Sequence, residues 1–233
     1  MQPDLQPITT GTIPAADSFA LRQHRVLRNT YLLLALTLIP TVIGAAIGTN
    51  INLSFMRASP VLSFFAILAI FYGWIFAIEK NKDSGLGVGL LLGFTLFLGV
   101  LLGPLFQHIL GFSNGTELIM MAAGGTAAVF FTLAAIASTT RRDLSGMGNF
   151  LVVGTIVVML AVVANVFLAS PALYLAILAA FVLISSMMIL WQVNSIVKGG
   201  ETNYVVATLN LYIAIYNLFS VLLQILGLGG RSD

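Results

Sequence analysis

Seven uninterrupted apolar runs organise this chain: roughly Thr30 to Thr49, Val61 to Ile78, Gly85 to Phe106, Glu117 to Ser138, Phe150 to Leu168, Ala172 to Val193 and Tyr204 to Leu226. Each is close to the roughly 20 residues that, at ~1.5 Å rise per residue, cross a ~30 Å hydrocarbon core. Transmembrane strands are only about 10 residues long and alternate in polarity, which these runs do not. The pattern predicts an all-α membrane protein, a bundle of seven transmembrane helices.

Composition agrees. Hydrophobic residues make up 59% of the 233 and charged residues 8%, with a mean hydropathy of +1.03. A soluble globule of this size is normally about 45–50% apolar, so this chain has too little polar surface to coat one. The partner the composition demands is a lipid bilayer. Cysteine is absent, which excludes disulfides, thiolate metal sites and cysteine nucleophiles.

The basic residues orient the bundle. With the N-terminus in the cytoplasm, Arg22, Arg25, Arg28, Lys80, Lys82, Arg141, Arg142 and Lys198 lie inside, and only Arg57 and Arg231 lie outside. This is a clear positive-inside bias, and an odd number of spans then sends the C-terminus to the far, periplasmic side. About 29 residues precede the first span and its apolar core is longer than that of a signal peptide, so it is expected to stay in the chain. Short loops leave no room for a second domain. Residues 1–20 read as a disordered cytoplasmic tail, since they hold three prolines, no basic residue and no helical apolar periodicity, and residues 21–233 as the seven-span domain. The tail is a possible handle for a partner.

Catalytic sets are missing from the spans. Asp4, Asp17, Glu79, Asp83, Glu117, Asp143, Glu201 and Asp233 all lie in tails, loops or span ends, and His24 and His108 are peripheral. A membrane metalloprotease needs a ligand set such as H-E-x-x-H, and aspartyl or serine chemistry needs paired acids or a serine with a buried base. None is found, so the chain reads as a non-enzyme with no cofactor, no metal and no nucleic-acid partner. Glu117 is expected in the first turn of the fourth helix, complementing its dipole.

The remaining intramembrane polarity is amide and hydroxyl. Asn203, Asn210, Asn217 and Gln224 recur every seven residues along the last span, a slowly drifting stripe on a helix that is expected to face protein. Asn165, Gln192 and Asn194 are its candidate partners across the bundle, because polar groups in lipid are costly unless paired. Such amides either hold helices together or line a solvated path. Glycines supply a second pattern: Gly85, Gly89 and Gly93, then Gly99 and Gly103, are spaced by four in the third span, predicting a smooth face for close packing. Pro104 is expected to distort the end of that helix.

Gly93 to Phe106, GFTLFLGVLLGPLF, resembles the signature of the Bax inhibitor (TMBIM) family of seven-span membrane proteins. The resemblance continues through HRVLRNTYLLLALTL, GGTAAVFFTLAAIASTTRRDLS, the KGGETNY turn and LYIAIYNLF, covering nearly the whole chain after residue 20. It is strongest to the proteobacterial YccA branch. The resemblance implies a seventh helix surrounded by the other six. For several members it also implies a pH-sensitive calcium leak, with paired aspartates on the sixth and seventh helices as sensor. Where the family would read L-F-D, this chain has Leu190-Trp191-Gln192, and where it would read L-Y-L-D, it has Leu211-Tyr212-Ile213-Ala214. Neither Gln192 nor Ala214 titrates, so a shared-proton switch is not expected. For the YccA branch the resemblance implies an inner-membrane regulator that associates with the membrane AAA protease FtsH and restrains it. The alternative is a calcium leak channel without the sensor.

Overall fold

The computed structural model of the protein describes residues 15–51 and 59–229. Within them the chain forms seven α-helices: α1 (Ala15–Gly48), α2 (Pro60–Lys80), α3 (Gly85–Leu110), α4 (Gly115–Thr139), α5 (Met147–Leu168), α6 (Pro171–Lys198) and α7 (Tyr204–Gly229). All seven are long and apolar enough to cross a membrane. Each contains the apolar run expected for it, apart from a final residue of the first. α1 is the exception in length. Its 34 residues measure roughly 51 Å at 1.5 Å per residue, so its first turns, with exposed Arg22, Arg25 and Arg28, extend past a bilayer core. Residues 15–20, read as tail, are therefore helical backbone. The rest of the proposed tail, and Arg57 and Arg231, lie outside the described residues.

Helix ends follow local chemistry. Ser59-Pro60 and Ser170-Pro171 open α2 and α6 with proline at the first helical position, where its missing N–H is no loss. The Ser170 hydroxyl accepts from the Leu173 N–H at 3.3 Å. Asn203 caps α7, its side-chain oxygen accepting from the N–H groups of Val205 (2.9 Å) and Val206 (3.2 Å). Gly199, with φ 78°, ends α6 in the left-handed region, where a Cβ is costly.

α7 packs against α1, α2, α3, α4 and α6. Its Leu209, Leu211, Tyr212, Ala214 and Leu218 are buried in one core with Leu91, Phe94 and Leu98 of α3, Ile189 and Val193 of α6, and Leu33 and Leu34 of α1. α5 contributes nothing to this core and packs mainly on α6. The last helix is thus central, enclosed by five neighbours, with α5 standing one layer further out.

The tightest seam is between α1 and α3. A Cβ on Gly44 would strike the Leu96 carbonyl, one on Gly99 the Thr41 carbonyl, and one on Gly103 the backbone of Gly48. Gly99 and Gly103 therefore lie where the α1 and α3 backbones come closest. Gly93 lies under the Trp74 ring of α2, which a Cβ would approach to 2.9 Å. Gly85 and Gly89 are placed differently: both are exposed, and nothing lies within 4 Å of a Cβ at either. Pro104 does not end α3, which runs on to Leu110. Proline does remove the donor to the carbonyl four residues back, that of Val100, and this carbonyl lies directly against Gly48. The glycine lets the second backbone approach where the proline has freed an acceptor.

Candidate functional site

The polar groups of the spans form three clusters along α6 and α7. At the end that carries Lys80, Lys82, Arg141, Arg142 and Lys198, Asn194 is buried on α6. Its amide nitrogen donates to the carbonyls of Arg142 (3.2 Å) and Ala137 (3.4 Å), and its oxygen accepts from the Leu144 N–H at 3.0 Å. One side chain thus ties the α4–α5 connection to α6. Asn194 was expected to meet the α7 stripe, and it faces this loop instead, because α4 packs against α6 there. In the same loop the Asp143 carboxylate accepts from the Ser145 N–H at 2.9 Å. That hydrogen bond, together with the Ser145 hydroxyl and the charge of Lys198, holds the carboxyl below its usual range. Asn203 makes a second clasp, donating to Asp83 Oδ1 at 2.8 Å and to the Lys82 carbonyl at 3.3 Å.

Deeper in the bundle, Gln192 is buried and its side-chain oxygen accepts from the Asn210 amide at 3.4 Å. This is a long contact for an amide pair, whose usual separation is about 2.9 Å. The Gln192 amide nitrogen has no partner among the described residues. Ala214, one turn further along α7 from Asn210, is fully buried. The positions at which the family resemblance implies two aspartates thus hold an amide and a methyl.

The third cluster lies toward the opposite end. The Tyr174 hydroxyl of α6 donates to Gln224 Oε1 of α7 at 2.6 Å, and Gln224 Nε2 donates to the Ser220 carbonyl at 3.0 Å. Asn165 caps its own helix: its side-chain oxygen accepts from the Ser170 N–H at 3.1 Å and its carbonyl accepts from the N–H of Ala169 at 2.9 Å. Asn165, Asn217 and Gln224 do come together, as walls of a cavity of about 390 Å³ between α5, α6 and α7.

The tyrosines are the functional groups that a search for amides and acids overlooks. Tyr212 Oη lies 2.7 Å from Thr41 Oγ1 of α1, and the Tyr216 hydroxyl donates to the Leu98 carbonyl of α3 at 3.1 Å. Their sequence signal is a step of four, Tyr212, Tyr216, Ser220 and Gln224, beside the step of seven in the amides. Among the acids, Glu117 sits in the first turn of α4, as expected. His108 is exposed in the last turn of α3, edge-on to Phe112 at 5.1 Å. No group of three or more His, Cys, Asp or Glu side chains among the described residues is placed to hold a metal ion.

Comparison with known proteins accords with this architecture. The family described as "Inhibitor of apoptosis-promoting Bax1" matches residues 23–231. An uncharacterized protein of Neisseria meningitidis serogroup A is 45% identical over 97% of both chains. The "Modulator of FtsH protease YccA" of Escherichia coli K12 is 46% identical over 91% of this chain and 93% of its own, and an uncharacterized protein of Pseudomonas aeruginosa is 43% identical over 89% and 91%. A second E. coli relative, matched over the same extent, is called "Inner membrane protein YccA". Seven spanning helices and these relatives make the chain a multi-pass inner-membrane protein that belongs to the Bax inhibitor family.

Proposed function

We propose that this protein associates with the membrane AAA protease FtsH and restrains its activity on other membrane proteins, acting as a regulator and not as an enzyme. The observation that carries this reading is the 46% identity, over 91% of the chain, to a protein described as a modulator of FtsH protease. The site chemistry is consistent with it. The amides of α6 and α7 bind helix to helix and loop to helix, and Gln192 and Ala214 supply no titratable pair for a pH-gated leak. The positive-inside count along the sequence, eight basic residues against two, supports an N-terminus in the cytoplasm and a C-terminus in the periplasm.

Co-purification from gently solubilised membranes tests the association. FtsH should be retained by the tagged protein and absent from a tagged seven-span control of similar abundance. Cells lacking the protein should degrade a membrane substrate of the protease faster than the parent. Clean separation of the two proteins in mild detergent, together with unchanged substrate half-life, would reject the reading.

A further inference from the structure

The cavity between α5, α6 and α7 has a composition that neither helix packing nor the regulatory reading requires. Its walls are apolar, from Val162, Ile177, Leu178, Phe181 and Val221, and among its lining residues there is no carboxylate, lysine, arginine or histidine. Asn217 and Asn165 stand among these apolar residues in the lining of the cleft. Asn217 makes none of the hydrogen bonds found among the described residues, and the Asn165 amide nitrogen is likewise uncommitted, only its oxygen being used. Tyr174 and Gln224, bonded to each other, close one end.

Position matters as much as chemistry. Asn217 stands near the middle of α7, and Gln224 two turns nearer its end. On α6, Tyr174 lies one turn in from Pro171 and Phe181 two turns deeper. The cleft therefore runs roughly 10 Å along both helices, seven residues at 1.5 Å each, from one edge of the bundle toward the bilayer midplane. α6 packs against both α5 and α7 and forms the floor, leaving the space between α5 and α7 as the mouth, with exposed Val166 at its rim. An amide at such depth without a partner is strongly disfavoured in hydrocarbon.

We propose that this cleft binds an uncharged bilayer lipid that carries carbonyl groups on an apolar chain, with Asn217 and Asn165 donating to the carbonyls. The amide donors match carbonyl acceptors, and apolar walls with a few convergent polar groups are the usual lining of a small-molecule site. Ions fit poorly: hard cations take carboxylates and six or more oxygens, and an anionic head calls for arginine or lysine. A partner helix fits poorly too, because one turn of a helix with its side chains, ~10 Å across, occupies about 400 Å³, the whole of the cavity. Two membrane constituents share the proposed chemistry, a quinone and a diacylglycerol.

The full-length protein in nanodiscs of zwitterionic lipid would be titrated with a decyl benzoquinone and, separately, with dioctanoylglycerol, bound ligand being counted by equilibrium dialysis against empty nanodiscs. Saturable binding of one probe at one per chain is expected, and the probe that binds identifies the source. Asn217→Leu should weaken it about tenfold, the equivalent of one hydrogen bond. Val166→Trp, which blocks the mouth and leaves the amides in place, should weaken it as well and decides the matter if the first variant fails to fold. The proposal is overturned if neither probe binds beyond partition into empty nanodiscs, if both variants bind normally, or if an anionic phospholipid displaces the probe. No protease is present in this assay, so its outcome is independent of the proposed association with FtsH.

Discussion

The side-chain nitrogen of Asn210 on α7 lies 3.4 Å from the side-chain oxygen of Gln192 on α6, one turn from the buried methyl of Ala214. Two helices that a carboxylate pair would couple to pH are joined here by neutral amides. Protonation leaves such a contact unchanged, so it is a fixed tie between α6 and α7.

Calcium flux through purified protein in liposomes should accordingly change little between about pH 6 and pH 8, the range in which a perturbed carboxylate pair titrates. Gln192→Asp combined with Ala214→Asp should introduce a pH dependence, or destabilise the bundle by burying two acids. A steep pH dependence in the unaltered protein would show that another group is acting as a sensor.

Orientation is open to cysteine labelling without background, because the chain has no cysteine. Ser59→Cys and Ser113→Cys should react with an impermeant maleimide in intact cells, and Ser84→Cys and Ser145→Cys only after permeabilisation. All four serines are exposed, so a reversed pattern would invert the assignment from charge.

The glycines separate by environment. Gly99→Ala drives a Cβ into the backbone of α1 at Thr41 and should cost about 1–3 kcal/mol, the usual range for overpacking. Gly89→Ala meets nothing within 4 Å and should stabilise α3 by about 0.5–1 kcal/mol through reduced backbone freedom in the unfolded chain. Thermal unfolding in one detergent should therefore move in opposite directions for the two variants. Equal shifts would contradict the close α1–α3 seam.

α5 ends on a non-glycine residue in the left-handed region, Ala169 at φ 47°. That conformation costs an L-residue roughly 1–2 kcal/mol, and glycine removes most of it. Ala169→Gly should raise the unfolding temperature, whereas Ala169→Val should lower it.

Asn194→Leu would strand the Leu144 N–H and two carbonyls, at about 1–3 kcal/mol for buried polar groups left unpaired. The α4–α5 loop should loosen first, seen as faster tryptic cleavage after Arg141 and Arg142 in opened membranes. Asp143 adds a pH term to the same loop. Its carboxyl is held below the usual range by the Ser145 hydrogen bonds, so its contribution is present above the ordinary carboxylate pKa of about 4 and is lost as pH falls through the depressed value. Asp143→Ala should speed cleavage at neutral pH. Unchanged cleavage in both variants would show that the loop is ordered by other contacts.

Much of this architecture is legible along the chain. A run of about 20 apolar residues has one low-energy arrangement in a bilayer, a helix that satisfies its own backbone, so seven runs such as Gly85 to Phe106 appear as seven helices, with ends shifted by a few residues except at the start of α1, which begins at Ala15. Caps are also local: Ser170-Pro171 and Asn203 act on N–H groups two or three residues away. The loss of both acids at Gln192 and Ala214 is a matter of residue identity alone.

What each polar or small residue meets depends on which helix lies opposite, and spacing along one helix carries no information about that. Gly89 and Gly99 each stand in a step of four, yet only Gly99 faces α1, and the matching Gly44 and Gly48 are recognisable only once α1 and α3 are paired. The seven-residue stripe of α7 divides in the same way. Asn203 clasps a loop, Asn210 meets Gln192, Asn217 opens into a cavity and Gln224 takes the Tyr174 hydroxyl. Periodicity selects a face of a helix, but hydrogen bonding and close packing act over about 3–4 Å between chain segments far apart in sequence. Only the tertiary arrangement, with α5 set outside the core and α7 within it, decided these partners.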